Sequence, residues 1–176
     1  MLETDNSSPP RTKSAPARPA GGEDFNPPLA KGDYFLSYPD TGFCIMKCNE
    51  INVRVRYQET DQMGIVYYSN YFVYFEMGRI EFLRNHGISY AEIEKENIFL
   101  AVAEAHCKYR APAMFDDLLV IKTCLSKMKH ARIEFCYEIR RNNEEKLIAE
   151  GFTRLACLDI NRKPTAIPEK VRNALT

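Results

Sequence analysis

Neither charge is in surplus: 24 Lys plus Arg stand against 24 Asp plus Glu, leaving a formal net charge of zero over 176 residues. That balance argues against a nucleic-acid partner, which calls for a basic excess or stripe. No apolar run approaches the roughly 20 residues of a membrane-spanning helix. The N-terminus also lacks the unbroken apolar core of a secretory signal. A soluble, cytoplasmic protein without a membrane span is expected. The six cysteines contain no C-x-x-C pair, which excludes a zinc ribbon and a thioredoxin-type site. They are expected to be buried free thiols behaving as small hydrophobes, in keeping with an intracellular compartment.

Histidine is scarce, and the three present, His86, His106 and His130, fall at a helix end, in a strand and at a turn. With no H-E-x-x-H, no metal is expected. There is no phosphate-cradling glycine loop and no G-x-G-x-x-G after a strand, so no cofactor is expected. The segment Gly87-Ile88-Ser89-Tyr90-Ala91 fails the nucleophile-elbow pattern at its last position.

What is present divides near residue 46. Residues 1–45 hold seven of the ten prolines and four of the eight glycines, a composition that cannot offset its ordering entropy by burial. They are expected to form a disordered extension, with residues 46–176 as the single ordered domain. Met46 stands directly before the regular part, and one reading places the natural start there. The aromatics Phe25, Tyr34, Phe35, Tyr38 and Phe43 are unusual in pure linker and leave docking on the domain open.

From Ile51 the pattern becomes regular. Ile51, Val53, Val55 and Tyr57 alternate with polar residues, which predicts a half-buried strand. A glycine-containing segment, residues 59–66, breaks the alternation. Ser69 or Asn70 is positioned to cap a helix whose Tyr71, Phe72, Phe75, Phe82 and Leu83 recur at helical spacing. Gly87 ends it, and a short second helix is predicted over 89–96. Strands follow over 98–110, 118–128, 133–140 and 146–159, the last two joined at Asn142-Asn143, with a short helix after Pro168. The layout is α+β: one long helix and about five strands.

Chemistry concentrates at the strand-to-helix junction. Asp61 precedes a helix N-terminus, whose first amides lack intrahelical partners and carry partial positive charge. Gly64 between them permits close approach of backbone or ligand. Amides of this kind can hold a carbonyl oxygen as it becomes an oxyanion, while the carboxylate attacks or activates water. The simpler reading is that Asp61 only caps a turn.

The run from Val55 to Tyr71, Val-Arg-Tyr-Gln-Glu-Thr-Asp61-Gln-Met-Gly64-Ile-Val-Tyr-Tyr68-Ser-Asn-Tyr, resembles the signature of hotdog-fold acyl-CoA thioesterases of the 4-hydroxybenzoyl-CoA thioesterase type. The likeness continues through Phe75-Glu76, Arg79, Tyr109-Arg-Ala-Pro112-Ala and Asp116-Asp117, and spans residues 51–170. It implies a long central helix wrapped by a curved five-stranded antiparallel sheet. It also implies hydrolysis of a CoA thioester, with Asp61 as nucleophile or general base. Tyr68 falls where many bacterial members carry histidine; a backbone role survives that change, a side-chain role does not. Tyr57 falls beside the carboxylate, and Gly64, Ile65, Val66, Tyr67 and Tyr71 are expected to border the acyl-CoA. Lys127, Lys129 and Arg132 lie where relatives place phosphate-binding cations, and a homodimer or tetramer of dimers follows. Glu76 is a second candidate acid or, more simply, an i+3 partner of Arg79. A non-catalytic acyl-CoA binder and a hydroxyacyl-thioester dehydratase are the competing readings; the latter wants a histidine that Asp61 lacks.

Overall fold

The computed structural model describes residues 47–176, so the extension expected over 1–45 lies outside the described residues. Five strands, β1 (Cys48–Arg54), β2 (Phe99–Tyr109), β3 (Leu118–Met128), β4 (Arg132–Arg141) and β5 (Leu147–Leu158), form one antiparallel sheet in the order β1-β3-β4-β5-β2. Between β1 and β2 run α1 (Asn70–Asn85) and α2 (Tyr90–Lys95), and α3 (Glu169–Leu175) closes the chain.

Alternation decides which sheet face is buried. In β4, Ile133, Phe135, Tyr137 and Ile139 point inward, and the polar residues between them point out. Their partners come from α1: Phe75 stacks on Tyr137, with ring centroids 4.3 Å apart, and Phe82 meets Phe135 edge-on. Gly78 lets the helix approach closely, since a Cβ there would lie 2.3 Å from Thr123 Oγ1. The aromatic stripe legible in the sequence is therefore the helix face turned onto the sheet. None of the helices among the described residues is long and apolar enough to cross a membrane.

Two local expectations change. The first strand ends at Arg54, and Tyr57 opens a single 3-10 turn, Tyr57–Glu59, instead of extending the strand. The cysteines are not all thiols: Cys48 and Cys124 are directly opposed in the β1–β3 register and form a disulfide, while Cys107, Cys136 and Cys157 lie outside it. Only strand register brings residues 76 positions apart into reach. With a disulfide present, the cysteine pattern no longer argues for a reducing compartment.

Candidate active site

The loop between β1 and α1 is built as a small closed hairpin. Thr60 bridges Val66, the Asp61 amide donates to Ile65 O at 2.9 Å, and the Gly64 amide donates to Asp61 O at 2.9 Å. Three residues, Gln62, Met63 and Gly64, form its tip, and Gly64 adopts φ +76°, which a side chain would strain. Asp61 Oδ1 accepts the Met63 amide at 2.8 Å, so the carboxylate caps its own turn. Asp61 is half-buried, and among the described residues its Oδ2 has no hydrogen-bond partner. The turn-capping role and an available carboxylate oxygen coexist on one side chain.

Neighbouring segments pin this hairpin. Val66 donates to Ala113 O at 2.8 Å, Ile65 bridges Met114, and Val55 exchanges backbone bonds with Asp116 and Asp117. The buried Asp117 Oδ2 accepts from Met114 N at 2.8 Å and from Arg141 Nη2 at 3.0 Å, tying residues 110–117 to the end of β4. The Ala-Pro112-Ala and Asp116-Asp117 elements of the sequence thus support the loop.

On the helix side, the Tyr67 amide is spent on Glu59 O at 2.8 Å. The amides of Asn70 and Phe72 turn back to Tyr67 O and Ser69 O. The Tyr68 N–H makes no hydrogen bond among the described residues, and the Tyr109 hydroxyl donates to Tyr68 O at 3.0 Å from the other side. Of the Tyr67 and Tyr68 amides, only that of Tyr68 is available at the positive end of α1. Neither Ser69 nor Asn70 caps by its side chain; Asn70 Nδ2 instead donates to Glu59 O at 2.8 Å.

The structure distributes the remaining sequence candidates unevenly. Tyr57 is exposed with its ring edge-on to Phe115, and no hydrogen bond joins it to Asp61. Gly64 meets open space, so the turn's positive φ, not crowding, requires it. Val66 and Tyr71 are buried in the core, and burial pushes the Tyr71 phenol up to about 12. Tyr67 and Tyr68 are exposed and in ring contact at 4.5 Å between centroids. The neighbouring Tyr68 hydroxyl, with the Asp61 charge contributing, raises the Tyr67 phenol above its ordinary range. Lys127, Lys129 and Arg132 flank the β3–β4 turn, at the opposite end of β3 from Leu118 and Asp117 and so about 30 Å of strand away from the Asp61 loop. One chain does not bring them to the carboxylate.

The expected Glu76–Arg79 pair does not form. Glu76 is exposed, whereas Arg79 is buried and donates to the hydroxyls of Tyr90 (3.1 Å), Tyr137 (3.4 Å) and Thr153 (3.5 Å). Sequence reasoning missed Glu59, a carboxylate only 5% exposed that accepts from Arg56 and from Tyr74. Nothing in a polar Gln-Glu-Thr-Asp stretch distinguishes its buried carboxylate from the exposed residues beside it.

Comparison with known proteins places these features in context. Residues 55–175 match the thioesterase-like superfamily. The chain is 34% identical over 120 residues to the acyl-CoA thioester hydrolase YbgC of Escherichia coli O157:H7, covering 68% of this chain and 89% of that protein. It is 33% identical over 124 residues to the acyl-CoA thioesterase YbgC of Haemophilus influenzae, covering 69% and 90%. Among solved structures, a DHNA-CoA thioesterase from Staphylococcus aureus superposes with a TM-score of 0.69 at 28% identity, covering 72% of this chain and 87% of that one.

Proposed function

The chain belongs to the thioesterase-like superfamily and has its hotdog fold, and from that premise we propose that it is an acyl-CoA thioesterase acting through Asp61. The observation that carries the reading is the division of labour at the loop. Asp61 Oδ1 holds the turn and Oδ2 is uncommitted, a few residues before a helix start where the Tyr68 N–H is also uncommitted. A thioester carbonyl oxygen meets the Tyr68 N–H, which stabilises charge as the carbonyl becomes tetrahedral. Asp61 then follows one of two routes. As a base it takes a proton from water, the hydroxide adds to the carbonyl, and the C–S bond breaks to give the acid and coenzyme A. As a nucleophile it forms a mixed anhydride with loss of the thiolate, and water then hydrolyses the anhydride. Either route yields free acid and coenzyme A.

The second part of the reading is a homodimer. Among the described residues β2 is an edge of the sheet, paired on one side to β5, and Phe99 and Val102 on it are exposed. Antiparallel pairing of two β2 strands turns the partner sheet end for end. The partner's Arg132 end then lies toward this chain's Asp61 end, which gives Lys127, Lys129 and Arg132 a route to coenzyme A phosphates across the interface.

The test follows thiol release with a thiol-reactive dye across acetyl-, medium-chain, long-chain and aromatic acyl-CoAs, for wild type and Asp61→Asn. Turnover that falls by about 10²–10⁴-fold in the variant supports the assignment and names the acyl class. Near-normal kcat in Asp61→Asn removes Asp61 from the reaction. Binding without turnover by the wild type replaces the hydrolase with an acyl-CoA binder.

A further inference from the structure

The geometry points to Glu59 as the positioning residue of this site, clamping the Asp61 loop to the start of α1; the inference rests on the thioesterase reading above. The Glu59 carboxylate is buried, and both oxygens are fully used: Oε2 accepts from Arg56 N at 2.7 Å and from Tyr74 OH at 3.0 Å, and Oε1 accepts from Arg56 Nε at 3.0 Å and Nη2 at 2.8 Å. Its own carbonyl accepts from Tyr67 N and Asn70 Nδ2, each at 2.8 Å. One residue therefore ties the segment that follows β1, the turn before α1 and the interior of α1 into one unit.

Two consequences for chemistry follow. Asp61 lies two residues beyond Glu59, so its place relative to the helix start is set through this clamp. Because Glu59 O consumes the Tyr67 N–H, the first amide open as a donor before α1 is the Tyr68 N–H, which makes no hydrogen bond among the described residues. The Tyr74 phenol, raised by burial and by the adjacent Glu59 charge, remains a protonated donor at neutral pH. A bidentate Arg–carboxylate pair with added hydrogen bonds is stiff, which suits a site where displacement by about 1 Å costs on the order of a hundredfold in rate.

Glu59→Gln keeps shape but sets an amide N–H against a donor and removes the charge; Tyr74→Phe removes one donor and leaves the ring in the core. Both are assayed with the same acyl-CoA series, beside Asp61→Asn, at a temperature where circular dichroism shows each fully folded. The expected result is a kcat lowered by about 10–100-fold in Glu59→Gln, a smaller loss in Tyr74→Phe, and KM within about threefold of wild type. A purely structural role would lower the melting temperature and leave kcat of the folded enzyme unchanged. Folded variants whose kcat stays within about twofold of wild type, while Asp61→Asn is dead, overturn this inference alone. Retained turnover in Asp61→Asn overturns the underlying assignment instead. Should Glu59→Gln fail to fold, Tyr74→Phe decides by the same criterion.

Discussion

Gly78 is the point where α1 comes closest to the sheet, and substituting it tests how the helix is seated. A Cβ at this position would stand 2.3 Å from Thr123 Oγ1 and 3.0 Å from Ile121 Cγ2. Ordinary contact needs the helix to lift by about 1 Å, or Thr123 to move. Thr123 is β-branched within β3, where its χ1 freedom is small. Overpacking of this kind costs about 1–3 kcal/mol. Taking the middle of that range, about 2 kcal/mol, and the recovery of up to about 1 kcal/mol through alanine's helix propensity, the net expectation for Gly78→Ala is a loss of about 1–2 kcal/mol. For a chain of this size each kcal/mol moves the melting temperature by about 2–4 °C, which makes the expected drop about 2–8 °C. Thermal unfolding followed by circular dichroism at fixed protein concentration measures it. A double-mutant cycle with Thr123→Ala isolates the clash, with a favourable coupling of about 1 kcal/mol expected when both side chains change. Rescue is incomplete because Ile121 remains. A Gly78→Ala protein as stable as wild type, or the absence of coupling to Thr123, would refute the close seating of α1 on β3.

Two further outcomes follow from the loop. Asp61→Asn preserves an acceptor for the Met63 amide while Asp61→Ala removes it, so urea unfolding should find the alanine variant less stable by about 1 kcal/mol; equal stabilities would deny the turn-capping role. Burial raises the Glu59 carboxyl, but hydrogen bonds from the Arg56 backbone, the Arg56 guanidinium and Tyr74 outweigh it, holding the group below its ordinary value. A depressed folded value stabilises the protein above the unfolded value of about 4.5, and that contribution disappears as pH falls through the folded one. The stability gap between wild type and Glu59→Gln should therefore be constant above about pH 5.5 and narrow below about 4.5. A gap that widens on acidification would contradict the sign.

Local patterning carried most of the element order. Period-two alternation in residues 133–140 and aromatic spacing in α1 report which face each element buries, and burial is what drives both patterns. The Thr-Asp-x-x-Gly turn was legible for the same reason: Asp and Gly are demanded by backbone geometry that is local to the turn. Tyr57 misleads because an alternating pattern continues past Arg54 after the ladder has ended, and only the pairing partner decides where a strand stops.

What tertiary structure alone decided is every contact between residues distant in sequence. The Cys48–Cys124 disulfide depends on β1–β3 register, and the burial of Arg79 among hydroxyls depends on β4, β5 and α2 converging on α1. The separation of Lys127, Lys129 and Arg132 from the Asp61 loop is set by the length of β3. Glu59 is the clearest case. Its residue type and neighbours resemble a solvated polar run, yet the fold withdraws it from water and, beside the local donors of Arg56, supplies the Tyr74 hydroxyl from α1. Sequence by itself determined the faces and turns, because those follow from propensity and periodicity. Which buried polar groups meet was left to the packing of helix on sheet, because desolvation and its compensation exist only once the elements are brought together.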